Sequence, residues 1–235
     1  MSWFRYNGGR GWKRLDDGTI IVEFADGLGE VDSQHHPGGG WVYRTNGAPV
    51  TAYTALQDFG ASMARASKLF DIPIHVIFAM MAIESKKQPK DRSHFNPRCV
   101  REEPGFLSDE KTPHRVSPGL MQTLLSTARE ANKRSHLYLD IDGKLEVLTR
   151  EDLFVPERSI MLGAAYMRFQ IDRKEDDELG FDDDDPILLC SAYNAGSVRP
   201  TSKNDFRLLT YGGNSRMEKF IAYNNDMLAV LRGQC

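Results

Sequence analysis

The sequence lacks several features that define large classes of proteins. Its longest purely apolar runs are about eight residues, at Val76–Ile83 and Ile160–Met167, whereas a membrane-spanning helix needs roughly 20. The first residues, MSWFRYNGG, lack the basic start and apolar core of a secretory signal peptide. The formal net charge is -3, so the strong basic excess of a general nucleic-acid-binding protein is missing as well.

Cysteine and metal-ligand patterns are also scarce. The three cysteines, Cys99, Cys190 and Cys235, have no short spacing, which argues against a disulfide framework and against a zinc site. The six histidines show no metal-ligand spacing. The acidic stretch 175–185 lacks the spacing of an EF-hand loop, so a solvated linker is preferred there over a calcium site. We therefore expect no metal site.

The N-terminal segment, residues 1–51, differs from the rest of the chain. The first 50 residues contain 10 of the 20 glycines and all three tryptophans, a density that does not suit helices. Asp16-Asp17-Gly18 between apolar runs is typical of a hairpin, and Asn46-Gly47 is a second turn signal. We expect a small Gly/Trp-rich β segment, either a separate module or an irregular cap.

Helical periodicity governs the remainder, residues 52–235. The helix predicted from Ile74 to about Ser85 is apolar on most faces, which is typical of a buried central helix, and Asp71 and Pro73 are predicted to begin it. A short hairpin is expected around Asp142-Gly143. Further helices are predicted at about Gly119–Lys133, Pro156–Gln170, Ile187–Ala192 and Arg216–Leu231.

Glu84 is unusual because it is a carboxylate that closes the most apolar helix. It lies three residues after Met81 and four after Met80, so it continues an apolar stripe. Desolvation favours the neutral form of a carboxyl group, and a carboxylic acid still protonated near neutral pH can donate its proton to a leaving group. The alternative is a solvent-facing glutamate at a helix end, paired with Lys86 or Lys87.

Four short motifs in a fixed order favour the first of these alternatives, in which Glu84 is a catalytic acid. They are Glu84-Ser85, GLMQ at 119–122, LFVPE at 153–157 leading into GAAY at 163–166, and AYNAG at 192–196. Their order and distances resemble the lytic transglycosylase domain, which is similar to goose-type lysozyme in glycoside hydrolase family 23. The resemblance covers roughly residues 55–235. It implies a mainly α, lysozyme-like α+β catalytic domain over 52–235, following the β segment 1–51.

The resemblance also implies an activity. The family cleaves the β-1,4 bond between N-acetylmuramic acid and N-acetylglucosamine in peptidoglycan and forms a 1,6-anhydro ring. Glu84 is then the single catalytic acid and base, and the chemistry needs no metal or cofactor. The implied substrate-binding residues, taken motif by motif, are Ser85, Met121, Gln122, Tyr193 and Asn194.

The last helix and the segment before Pro118 are among the places where the sequence departs from the family pattern. Many members carry a tyrosine on the last helix facing the site, whereas here the position holds Phe220, with Tyr223 one turn later. The segment from Arg101 to Pro118 is longer than the minimal pattern and carries acidic residues, Glu102, Glu103, Asp109 and Glu110. Glu103 or Glu102 is thus a candidate second carboxylate that positions water, which makes a hydrolytic lysozyme the first alternative. A non-catalytic wall-binding or structural component is the second.

The expected partner is the peptidoglycan glycan strand, with no nucleic acid and no membrane insertion, and the chain is expected to be a monomer. Because the substrate lies outside the cytoplasmic membrane and the start of the chain shows no signal peptide, we expect delivery by a non-Sec route. A phage virion, holin-dependent lysis of the endolysin type and a specialised secretion system are the options, and a bacteriolytic, phage-like source is favoured. Residues 1–51 are the candidate contact with a virion or secretion apparatus.

Overall fold

Seven helices and seven strands are present in the computed structural model, which describes residues 4–5, 11–23, 31–85, 95–135, 148–172, 186–195 and 213–234. The strands are β1 Phe4–Arg5, β2 Gly11–Arg14, β3 Ile20–Val22, β4 Val31–His35, β5 Trp41–Thr45, β6 Val100–Glu102 and β7 Val116–Pro118. The helices are α1 Val50–Phe70, α2 Ile74–Glu84, α3 Leu125–Ser135, α4 Arg150–Phe154, α5 Pro156–Asp172, α6 Pro186–Ala195 and α7 Gly213–Leu231. This confirms a mainly α chain with a small β segment at its N-terminus.

The described residues form two compact units. One comprises Met1–Tyr53 with Gln170–Cys235, and the other comprises Thr54–Phe169. The division at residue 51 into a module and a catalytic domain stays a prediction. None of the described helices is by itself long and apolar enough to cross a membrane, and α1 and α2 pass that test only as a pair that is bent by 119°.

The N-terminal sheet of the first unit is antiparallel, in the order β1-β2-β3-β5-β4. The hairpin predicted at Asp16-Asp17-Gly18 joins β2 to β3 and is confirmed. Asp17 Oδ1 accepts the Thr19 N–H at 2.9 Å, and Gly18 takes φ 86°, so a short acidic side chain and a glycine close the turn as their chemistry suggests. A second turn, from His36 to Gly40, joins β4 to β5, and in it the His36 N–H donates to Gly40 O at 2.9 Å.

Asn225 on α7 joins the helix to the sheet. Its Oδ1 accepts the Ile20 N–H at 2.9 Å, and its Nδ2 donates to Ile20 O at 2.8 Å and to Tyr43 O at 2.9 Å. The residue is 4% exposed, so these hydrogen bonds satisfy an amide withdrawn from water. One side chain therefore bridges β3 and β5 much as a neighbouring strand would.

Asp226, the next residue on α7, is a buried carboxylate. Its side chain is 2% exposed and accepts the Arg44 Nε–H at 3.2 Å, and the Thr45 hydroxyl donates to its other oxygen. Burial is the largest influence and raises the pKa of Asp226, while the hydrogen bonds from Thr45 and Arg44 act in the opposite direction. The ionised form is thus costly even though it is paired.

In the second unit, helix α2 is the centre of the core. All residues from Val76 to Ala82 are buried, as its all-round apolar sequence predicts. Phe59, Met63, Ala66 and Phe70 of α1 are buried as well, and Phe59 meets Phe95 edge to face with ring centroids 5.9 Å apart. The expectation that Asp71 caps α2 is wrong, because Asp71 takes φ 55° in the link and α2 begins at Ile74 directly after Pro73, without a side-chain cap.

The segment from Arg101 to Pro118 is more ordered than a long loop. Strands β6 and β7 pair antiparallel within it. Arg150 of α4 bonds Glu102 at 3.0 Å and Asp109 at 2.7 Å, and its guanidinium lies 5.6 Å from the centre of the Phe106 ring. Beneath it lies an apolar cluster of Val116, Leu125, Ala128, Leu148, Leu153 and Leu162. The predicted hairpin at Asp142-Gly143 and the acidic stretch 175–185 lie outside the described residues.

Replacing Asn225 tests its bridging role. Asn225→Ala leaves the N–H and C=O groups of Ile20 and the C=O of Tyr43 without this partner, so we expect a loss of about 2–4 kcal/mol in the free energy of unfolding. Denaturant titration measures it. Gln57→Ala, an exposed change on α1, is the control and should stay within about 0.5 kcal/mol of wild type. Equal behaviour of the two variants would contradict the bridging role.

The raised pKa of Asp226 predicts a pH dependence. The folded-state pKa lies above the ordinary value of 3.8, so the folded state binds the proton more tightly and this group's stabilisation is lost as the pH rises from 3.8 through the folded-state pKa. We expect the stability of Asp226→Asn, relative to wild type, to increase over that rise. Thermal unfolding across pH measures it, with the exposed Asp58→Asn as control. A relative gain by wild type would contradict the assignment.

Candidate active site

Glu84 is the last residue of α2 and is half-buried. Ser85 ends the helix: its N–H donates to Met81 O at 2.8 Å, and its backbone is extended, with φ -72° and ψ 137°. The carboxyl group therefore stands where the chain leaves the apolar helix, between a dry interior and the surface. This is the position that the helical spacing predicts for it.

The GLMQ motif at 119–122 forms a turn that precedes helix α3. The expectation that the motif opens the helix is wrong, since α3 begins at Leu125. Gly119 has φ 83° and Gln122 has φ 46°, and a right-handed helix cannot contain such residues. A positive φ at a glutamine is uncommon and costs free energy, so surrounding contacts must hold it in place.

Ser85 connects the end of α2 to this turn. Its hydroxyl donates to Leu120 O at 2.5 Å, and Leu120 itself is fully buried. The bond spans 35 residues of sequence and fixes the residue that follows Glu84 against the middle of the GLMQ turn. The structure thus brings the first two sequence motifs together.

Gly119 is packed so closely that no side chain fits. A Cβ atom there would lie 2.0 Å from Leu153 O and 2.8 Å from Ser159 Oγ. Ser159 Oγ also accepts the Met121 N–H at 3.2 Å. Leu153 of the third motif, LFVPE, and Ser159 just after it thus pack against the GLMQ turn. The two motifs are therefore in direct contact. Sequence reasoning missed Ser159, which lies two residues beyond the motif.

Cys99 holds the other side of the turn. Its carbonyl oxygen accepts the Gly119 N–H at 2.8 Å, and its Sγ–H donates to Gly119 O at 3.1 Å. The Gln122 side-chain Nε2 donates to Gly119 O at 2.8 Å and lies 3.1 Å from Cys99 Sγ and 3.3 Å from Cys99 O. Sequence reasoning missed Cys99 as well, because a lone buried cysteine is more often a small apolar residue than a hinge of a turn.

These bonds decide which atom of Gln122 faces a ligand. Its Nε2 is used inside the turn, and within the described parts of the chain no group donates to its Oε1. The side chain is half-buried. Gln122 therefore offers a hydrogen-bond acceptor, which suits the N–H of an acetamido group or a hydroxyl.

Met121 has a packing role in this structure. It is 0% exposed, and a Cβ atom on Gly163 of α5 would lie 2.7 Å from its side chain. Gly163 thus makes room for Met121 beneath the turn. A direct contact between Met121 and a saccharide stays a prediction.

Tyr193 and Asn194 lie in the other compact unit, on the last turn of α6. The sequence places them on a loop after Ala192, whereas the helix continues to Ala195. Tyr193 is 7% exposed and Asn194 is exposed. On α7 of the same unit, Phe220 is fully buried and Tyr223 is half-buried. The substrate contacts assigned to these residues stay predictions.

The candidate second carboxylates, Glu103 and Glu102, are held in ion pairs, as is Asp109 of the same segment. Glu103 Oε1 lies 2.7 Å from Arg101 Nε, Glu102 lies 3.0 Å from Arg150, and Asp109 lies 2.7 Å from the same guanidinium. The hydrogen bonding of the Arg150 guanidinium to the Asp109 carboxylate is the largest of the influences that raise the pKa of Arg150. These carboxylates brace the β6–β7 segment. A water-positioning role for Glu102 or Glu103 stays a prediction.

A family model of the transglycosylase SLT domain matches residues 62–207. The chain belongs to this family. The matched range contains Glu84, the GLMQ turn, the Ser159 segment and the AYNAG motif of this SLT domain. Its members are transglycosylases by the name of the family, in agreement with the resemblance drawn from the motifs.

Among the solved structures similar to this chain is an inactive mutant of the lytic transglycosylase Slt from Pseudomonas aeruginosa. The two are 16% identical with a TM-score of 0.41. The alignment covers 75% of this chain and 24% of the Pseudomonas chain, so the SLT domain chain spans about a quarter of that protein. No curated protein matches the sequence significantly.

Over the described residues, no group of three or more histidine, cysteine, aspartate or glutamate side chains lies close enough to hold a metal ion. The acidic stretch 175–185 falls outside those residues. The expectation of a metal-free site therefore stays a prediction for the whole chain.

Gly119→Ala tests the packing of the turn. It combines a positive φ with a clash, whereas Gly39→Ala places the same methyl group at φ 90° with nothing within 4 Å. We expect Gly119→Ala to lower the free energy of unfolding by about 1–3 kcal/mol more than Gly39→Ala does, as measured by denaturant titration. Equal losses would show that the φ value alone sets the cost and that Leu153 and Ser159 do not confine the turn.

Proposed function

We propose that this SLT domain is a peptidoglycan lytic transglycosylase that cleaves the bond between N-acetylmuramic acid and N-acetylglucosamine and releases 1,6-anhydro-N-acetylmuramic acid ends. The observation that carries the proposal is the Ser85–Leu120 hydrogen bond, which ties the helix end carrying Glu84 to the strained GLMQ turn. A half-buried carboxyl group thus stands beside a turn that holds a hydrogen-bond acceptor, Gln122 Oε1, near the surface.

In the first step, Glu84 donates its proton to the glycosidic oxygen while the bond from that oxygen to the muramic anomeric carbon breaks. The N-acetylglucosamine leaves with a restored 4-hydroxyl group. The carbonyl oxygen of the muramic acetamido group stabilises the positive charge that develops on the anomeric carbon. Glu84 is left as a carboxylate.

In the second step, the Glu84 carboxylate takes the proton of the muramic C6 hydroxyl. O6 then bonds to the anomeric carbon and closes the 1,6-anhydro ring, while the acetamido group returns to its neutral form. Glu84 ends protonated and ready for another cycle. One carboxyl group thus acts first as the acid and then as the base. The reaction needs no second carboxylate and consumes no water.

The ion pairs of the acidic segment support this single-carboxylate scheme. Glu102 and Glu103 are each held by an arginine, so neither stands as an isolated base. In the proposal, Ser85 orients Glu84, Gln122 accepts a hydrogen bond from the substrate, and Met121 supports the turn from below. Tyr193 and Asn194 complete the substrate-binding set by their place in the AYNAG motif, and the place of action is the cell wall.

The test is a digest of purified peptidoglycan followed by mass spectrometry. We expect muropeptides one water lighter than the products of hydrolysis, and a rate at least about a hundredfold lower for Glu84→Gln, which removes the acid and keeps the shape. Glu102→Gln and Glu103→Gln are matched controls and should cleave like wild type.

Two outcomes would contradict the proposal. Reducing-end products that depend on Glu102 or Glu103 would make the chain a hydrolytic lysozyme. Binding to the wall without any cleavage by wild type would leave a non-catalytic wall component.

A further inference from the structure

A pocket of about 330 Å³ lies in the unit that contains the N-terminal sheet, and the mechanism above does not use it. It is formed by β4, β5, the turn that follows β5, the first turn of α1 and the C-terminal residues of the chain. Its volume falls near the lower end of the range for small-molecule sites. The side chains that matter to its chemistry are Asp32, Gln34, Arg44, Thr45, Tyr53 and Gln234.

Hydrogen bonds to neighbouring groups hold the side chains of Arg44 and Asp32 in place. The Arg44 Nε–H donates to the buried carboxylate of Asp226 at 3.2 Å, and Asp32 Oδ2 accepts the Gly47 N–H at 3.2 Å. Asp32 and Arg44 are also direct partners in the β4–β5 register. Polar groups fixed in this way are pre-organised, which lowers the entropic cost of binding a ligand.

The charges point to a neutral ligand. Asp226 compensates the guanidinium of Arg44, and Asp32 then leaves the pocket with a formal excess of one carboxylate, so an anionic ligand is disfavoured. The remaining polar groups are the amides of Gln34 and Gln234 and the hydroxyl of Thr45. The two amides both donate and accept hydrogen bonds, and the Thr45 hydroxyl, which donates to Asp226, can still accept one. This set matches a ligand rich in hydroxyl and amide groups.

Tyr53 supplies the apolar part of the pocket. It lies in the first turn of α1 and is 46% exposed, which leaves much of a large aromatic side chain open to a ligand. An aromatic side chain combines a large apolar surface with a polar end. A pyranose ring has an apolar C–H face and polar edges, so it fits a pocket with one aromatic wall and several polar groups.

We propose that this pocket binds a neutral N-acetylglucosamine unit of a glycan strand, as a second contact apart from the Glu84 site. The neutral, hydroxyl- and amide-bearing character of the ligand follows from the pocket itself. Its origin in peptidoglycan rests on the proposed function. Of the two sugars in that polymer, N-acetylglucosamine is the one without an acidic substituent.

The test is a titration of the ¹⁵N-labelled Glu84→Gln chain with a tetrasaccharide of N-acetylglucosamine, followed by NMR. We expect the amide signals of Gly47 and Thr45 to shift, and Tyr53→Ala to weaken the affinity read from these signals about tenfold. Gln34→Ala, on an exposed strand position, should weaken it severalfold. Leu107→Ala, at a residue that is 73% exposed and not in the pocket, is the control and should bind unchanged.

Several results would overturn the proposal. Gly47 and Thr45 signals that stay fixed at saturation, or unchanged affinity in both Tyr53→Ala and Gln34→Ala with folded spectra, would do so. Preference of the pocket for an acidic stem peptide over the tetrasaccharide would also overturn it, since the ligand class would be wrong.

The outcome is separable from that of the proposed function. A failure here, combined with anhydro products in the digest, leaves the enzyme assignment intact. Shifts at Gly47 and Thr45 in a chain that cleaves nothing would support the pocket and contradict the enzyme assignment.

Discussion

The close approach of Gly119 to the Leu153 carbonyl is the constraint on which the candidate site depends. A methyl group at Gly119 would lie 2.0 Å from that oxygen, so the chain can pass there only without a side chain. This close packing fixes the position of the GLMQ turn. In that position, Leu120 O accepts a hydrogen bond from Ser85, and Gln122 Nε2 donates to Cys99. Backbone packing at Gly119 therefore positions Ser85, the residue that follows Glu84, through its hydrogen bond to Leu120 O.

In the other compact unit, polar side chains of helix α7 hold the helix to the sheet. Asn225 forms hydrogen bonds with the backbone of β3 and β5. Asp226 accepts hydrogen bonds from the side chains of Arg44 and Thr45, two consecutive residues of β5. Buried polar groups of this kind fix one arrangement, since any slip leaves them unsatisfied. The same Asp226 neutralises Arg44 in the sheet pocket, so the anchoring of the sheet and the chemistry of the pocket share one carboxylate.

Some of this could be predicted from sequence, because it is local. The β2–β3 hairpin follows from Asp16-Asp17-Gly18, and the burial of α2 follows from a helix that is apolar all round. The position of Glu84 at the end of that helix follows from spacing alone. Each of these depends on residues within a few positions of one another, where pattern and propensity are informative.

The remainder depends on contacts between distant parts of the chain. The GLMQ segment is a turn because Leu153, Ser159 and Cys99 confine it, and nothing within 119–122 itself forbids a helix after Gly119. Nothing in the sequence around Cys99 distinguishes a residue that hydrogen-bonds to the turn from an ordinary core cysteine. Asn225 and Asp226 look like surface positions of a helix until β3 and β5 are known to lie against them.

In the proposed mechanism, Glu84, positioned through the bond from Ser85 to the GLMQ turn, is the group that meets the glycosidic oxygen. The most direct measurement is a crystal structure of the Glu84→Gln chain with a bound peptidoglycan fragment. We expect the side-chain amide at position 84 to lie within hydrogen-bond distance of the glycosidic oxygen, and a substrate group to donate a hydrogen bond to Gln122 Oε1. A scissile bond lying instead beside Glu102 or Glu103, with position 84 out of reach, would contradict it.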